Sequence, residues 1–68
     1  MDSEVFNLSV RKFLKRIGVG SQREIEHAIQ DAIRQQALTG RECLTAKVTL
    51  EIPAVGLSVP FDGEIRLR

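Results

Sequence analysis

The apolar residues of this chain change their spacing once, at Gly40. Before it they recur three and four residues apart, the period of a helix with one covered face; after it they recur at every second residue, the period of a strand. Helical segments followed by strands, with no strand ahead of the first helix, predict an α+β domain and leave no βαβ unit or parallel sheet to build.

In the first segment Phe6, Val10, Phe13, Leu14 and Ile17 form one stripe. Ser3 is placed to cap the helix, Glu4 suits its positive end, and Lys15 and Arg16 suit its negative end. Gly18 then reads as a stop. Turned at about 100° per residue, Arg11, Lys12, Lys15 and Arg16 fall opposite the stripe. Gly18-Val19-Gly20 reads as a turn, and Ser21-Gln22-Arg23-Glu24 has the form of a capping box that starts a second helix over 21–36. Its stripe is Ile25, Ala28, Ile29, Ala32 and Ile33, whose alanines allow close approach to the first helix as an antiparallel helical hairpin. Gly40 supplies the second stop.

Beyond Gly40, Leu44, Ala46, Val48, Leu50 and Ile52 alternate with polar residues, and so do Leu57, Val59, Phe61, Ile65 and Leu67. A one-residue slip in pairing would send one apolar set to the wrong face. Pairing Ile52 with Leu57 keeps both sets together and predicts Leu50 opposite Val59, Val48 opposite Phe61, Ala46 opposite Gly63, Leu44 opposite Ile65, and Lys47 opposite Asp62. Pro60 brings no amide donor, which places its strand at an edge. The expected architecture is helix-helix-strand-strand, a single small domain over 1–68, with the helical hairpin packed on one face of a two-stranded antiparallel β-hairpin. Two copies joined edge to edge would give a four-stranded sheet.

With 68 residues, 43% hydrophobic and 28% charged, the chain has the composition of a folding domain but the length of a marginal one. Domains of this size bury only about 60% of the surface their unfolded chains expose and draw on disulfides, metals or oligomerisation for the remainder. One cysteine, Cys43, forbids an intrachain disulfide and suits a reducing compartment; with His27 it is too few for a closed zinc site. Oligomerisation remains, so a homodimer is expected, with a further protein partner open. Val5 and Leu8 lie off the stripe and point the same way. The acidic start Met1-Asp2-Ser3-Glu4 lacks the form of a signal peptide and no apolar run nears the ~20 residues of a membrane span, which predicts a cytoplasmic protein away from membranes. Four cations behind an apolar stripe also describe a helix lying on a lipid surface, an alternative set aside because the core needs the stripe.

The runs Phe6-Asn7-Leu8-Ser9-Val10-Arg11-Lys12-Phe13-Leu14-Lys15, Gly18-Val19-Gly20-Ser21-Gln22-Arg23-Glu24-Ile25-Glu26, Pro53-Ala54-Val55-Gly56-Leu57 and Phe61-Asp62-Gly63-Glu64-Ile65 resemble a family of short bacterial proteins with no assigned function. The resemblance spans the chain and implies no activity, cofactor or catalytic residue.

Catalysis needs a nucleophile or an acid–base pair held in a concave site. His27 falls opposite the stripe of its helix, where a solvated surface residue beside Asp31 is expected. Ser21 is accounted for as a cap, Ser58 as an outward strand residue and Cys43 as an idle thiol. No enzyme, cofactor or metal site is expected. The interaction surface most open to a partner is Val5, Leu8, Arg11, Lys12, Lys15 and Arg16. A second reading takes Phe13 to Ile29 as a helix-turn-helix with the β-hairpin as a wing, Gln22, Arg23 and Glu26 on base edges and the cations on phosphates. Against nucleic acid stand Glu24, Glu26 and Asp31 on the would-be recognition helix and a net charge of only +1.

Overall fold

A computed structural model describes all residues, 1–68. It resolves the chain into two units, Met1–Ala37 and Leu38–Arg68. The first is a single helix, α1 (Ser3–Arg34, 32 residues). The second is a hairpin of β1 (Cys43–Ile52) and β2 (Leu57–Arg66), joined through a 3₁₀ turn at Pro53–Val55. The α+β class holds, while the two-helix reading does not.

The helix runs straight through Gly18-Val19-Gly20, the segment expected to turn. Neither glycine adopts the left-handed conformation that ends helices; Gly40 and Gly56 are the glycines with positive φ. Ser21 and Glu24 are therefore interior helical residues and no capping box forms. The physical reason lies in the stripe. Ile17 and Ala28 are eleven residues apart, as are Leu14 and Ile25, and eleven residues make three helical turns, so the apolar positions on both sides of the glycines keep one phase. Two helical glycines cost about 1 kcal/mol each relative to alanine, and a cooperative helix of this length absorbs that. Without a second helix there is no helical hairpin to lay on the sheet.

Both ends of α1 also differ from expectation. Asp2, one residue ahead of Ser3, is the cap: its carboxylate oxygen accepts from the amides of Glu4 at 3.0 Å and Val5 at 3.1 Å. A charged acceptor there satisfies two of the four orphan amides and meets the positive end of the helix dipole. At the far end the helix stops before Gly40. Ala37 donates to the Ala32 carbonyl at 2.8 Å and Gln36 to the Ile33 carbonyl at 3.0 Å, the paired bonds of a Schellman motif. Gln36 takes the left-handed position, φ 65°, where glycine is usual, and so carries strain that Gly40 was expected to spare the chain.

The hairpin register is the one the alternation predicts, from Ile52 opposite Leu57 to Leu44 opposite Ile65. Lys47 stands opposite Asp62, although their charged tips form no ion pair; Arg34 with Asp31, three residues earlier, is the one such pair in the chain. At the turn Gly56 adopts φ 66°, and its amide donates to the Pro53 carbonyl at 3.1 Å. That left-handed step lets the chain reverse after Pro53, whose fixed φ opens the turn. Leu44, Ala46 and Leu50 on β1 and Leu57, Val59 and Ile65 on β2 are half-buried on one face, while Val48 and Phe61 on that face are exposed.

Candidate functional site

A fold with a covered core would hide its large apolar side chains, and none is buried here. The two faces of α1 and the inner face of the hairpin are therefore the surfaces on which function must rest. On α1 the stripe residues Phe6, Phe13 and Leu14 are 55%, 50% and 52% exposed. Val5 and Leu8, expected off the stripe, are exposed as well. Leu8 borders a shallow depression with Ser3, Glu4, Asn7 and Arg11.

Opposite the stripe, Lys12, Lys15, Arg16, Val19 and Arg23 surround a second shallow depression left by the missing side chain of Gly20. Three of these cations were expected to share a face, and the continuous helix adds Arg23 to them. From Val5 to Arg23 the chain holds five cations and no acid; Glu24, Glu26 and Asp31 follow. The helix is thus basic as far as Arg23 and predominantly acidic beyond it. Sequence reasoning missed this division because it assigned the halves to separate helices.

That continuity also removes the helix-turn-helix. Gln22, Arg23 and Glu26 lie in the middle of one long helix, with no turn ahead of them to set a recognition helix across another. The DNA-binding reading of 21–36 has no support in this geometry. The ground for setting aside a lipid surface falls as well, since no second helix is formed to cover the stripe. No helix of the chain is long and apolar enough to cross a membrane.

His27 is exposed on α1, and Asp31, expected beside it, pairs with Arg34. The Cys43 thiol lies 3.5 Å from a carboxylate oxygen of Glu64 on the outer face of the hairpin. No three His, Cys, Asp or Glu side chains gather as metal ligands.

The most organised polar cluster is one that the sequence did not announce. Glu42 folds back over the connecting loop, where its carboxylate accepts from the amides of Thr39 at 2.8 Å, Gly40 at 3.0 Å and Arg41 at 3.1 Å, and from the Thr39 hydroxyl at 3.1 Å. Donation from the Thr39 amide above all, joined by other backbone donors, lowers its pKa from an ordinary 4.5 to about 2 against an opposing effect of desolvation. Because the folded pKa is depressed, this stabilisation is complete above pH 4.5 and is lost as pH falls toward 2. Glu42 should titrate near pH 2 by carboxylate NMR, and amide exchange at Thr39 to Arg41 should quicken across that interval. In Glu42→Gln the same exchange should be fast at neutral pH; exchange unchanged by the substitution would remove the clasp. The backbone carbonyl of Glu42 also accepts from the Leu67 amide at 3.0 Å, which extends the zipped strands past β2. Its ligand capacity is used up by the loop itself, so the cluster is structural.

No curated protein and no solved structure matches the chain. One family model does, over residues 1–68: the protein belongs to the DUF6494 family, a family of unknown function.

Proposed function

We propose that the protein is a small, non-catalytic cytoplasmic accessory protein that acts through self-association, as a homodimer. The observation that carries this reading is that 68 residues form ordered elements without burying one side chain. Most helix stability in proteins comes from packing an amphipathic face, and a lone two-stranded hairpin is marginal in water. Apolar patches of this extent on a soluble chain mark surfaces that another molecule covers. A second copy supplies matching patches at no further genetic cost, and the hairpin edges offer a place to extend the sheet.

Light scattering on the eluting peak tests this directly. The expected mass is about 15 kDa, twice the 7.6 kDa of one chain. A mass of 7.6 kDa at every concentration would overturn it.

A further inference from the structure

The face of α1 opposite the stripe has a composition of its own. From Val5 to Arg23 the helix holds half of the chain's ten Lys and Arg and none of its nine Asp and Glu. Arg11, Lys12, Lys15, Arg16 and Arg23 are all exposed, and none of them takes part in an ion pair. Among them stand Val5, Leu8 and Val19, exposed as well. Val5, Leu8, Lys12, Lys15, Val19 and Arg23 follow one another at steps of three or four residues, so cations and apolar side chains share one line along about five helical turns. Arg11 and Arg16 flank that line. From this mixture we infer that the face docks on an anionic phospholipid surface, with headgroup phosphates over Gly20 among Lys12, Lys15, Arg16 and Arg23.

Charge complementarity names the sign of the occupant, and the apolar residues name its kind. A run of cations on an amphipathic helix attracts anionic headgroups, while apolar side chains beside them enter the acyl boundary. A nucleic-acid backbone meets the cations but has no use for Val5, Leu8 and Val19. The core of a protein interface is poor in Lys, whereas a lipid surface accepts long basic side chains whose stems lie along apolar surface. The open backbone at Gly20, where a side chain would meet no atom within 4 Å, gives a phosphate room to sit between the surrounding cations. Which face turns to the lipid follows from the same geometry. Inserting the stripe would hold Lys12, Lys15 and Arg16 a helix diameter away from the headgroups, roughly 10 Å, where salt already screens the attraction. Docking by the basic face also leaves the stripe free for the self-association proposed above, and it stands for one copy or for two.

The chain contains no tryptophan, so a single introduced one reports its own surroundings. On phosphatidylglycerol vesicles the fluorescence of Val19→Trp should shift to the blue, while that of Phe13→Trp, on the stripe, should not respond to the lipid. Phosphatidylcholine vesicles should leave both unchanged. Adding Lys12→Gln/Lys15→Gln to the Val19→Trp chain should weaken vesicle binding roughly thirtyfold, glutamine being as good a helix former as lysine. Raising the salt from about 0.1 M to about 0.5 M should release the chain, a test that needs no loss of cations. Sedimentation of the unsubstituted chain with the two kinds of vesicle repeats the comparison without a probe. A shift at Phe13→Trp in place of Val19→Trp overturns the inference, because the stripe would then be the face in the lipid. Equal binding to phosphatidylcholine, or no binding to either vesicle, overturns it as well. So does tighter binding of an oligonucleotide or of polyglutamate than of phosphatidylglycerol vesicles at equal salt, which would assign the face to nucleic acid or to an acidic protein.

Discussion

Ile17→Asp should abolish self-association and, with it, most of the helical signal in far-ultraviolet circular dichroism at micromolar concentration. Ile17 sits next to the centre of the stripe, where α1 is half-buried even within one chain. A carboxylate placed there would be buried against a second copy without a partner, and an unpaired buried charge costs several kcal/mol. A loss of about 3 kcal/mol raises a dissociation constant more than a hundredfold. In the proposed dimer the helix draws its stability from that contact, so unfolding should follow dissociation. The matching control is Val19→Asp. Val19 is exposed on the opposite face, with Lys15 four residues before it and Arg23 four after, and an acid there gains i,i+4 partners. The control should remain dimeric and helical. If Ile17→Asp also remains dimeric, the stripe is not the surface that associates.

Gly20→Pro should lower stability by about 3 kcal/mol, whereas Gly20→Ala should raise it by about 1 kcal/mol. In a chain of this size the alanine variant corresponds to a rise of about 4 to 8 °C in Tm. The signs follow from the continuity of α1. A proline at position 20 removes a helical amide and drives its ring into the preceding turn. An alanine meets no atom within 4 Å and only reduces the freedom of the unfolded chain. A turn at Gly18-Val19-Gly20 predicts the reverse for proline, which turns accept readily. Thermal melts of the two variants beside the parent separate the cases, and a proline variant as stable as the parent would show that the helix breaks there.

The hairpin could be read from the sequence down to individual pairs, and α1 could not. For strands the evidence is global: ten residues on each side alternate, and pairing Ile52 with Leu57 brings Leu44, Val48, Leu50 and Ile52 to the face that holds Ile65, Phe61, Val59 and Leu57, which any one-residue slip would undo. At the middle of the helix, local and long-range signals conflict. Two glycines followed by Ser21 and Glu24 imitate the end of one helix and the start of another. The stripe passing from Ile17 to Ala28 and from Leu14 to Ile25 says the opposite, and in a cooperative helix the longer pattern prevails. Reading the stripe at a spacing of eleven would have found the continuity. The Glu42 clasp had no comparable signature, since a glutamate reaching three residues back to loop amides leaves no periodic trace. The Schellman end at Gln36 was hidden for a related reason, because Gly40 stood nearby as the more obvious residue for a left-handed position.

Pro60 bears on where assembly stops. A sheet that grows by adding hairpins needs two competent edges, one to receive and one to offer, and unchecked growth of that kind ends in fibres. β1 contains no proline, whereas β2 carries Pro60 opposite Thr49 and lacks one backbone donor. Joining two β1 edges would leave a β2 strand, with its proline, on each outer rim. In the proposed dimer, a join at β1 would therefore leave further addition obstructed at both rims, which would hold the assembly at two copies.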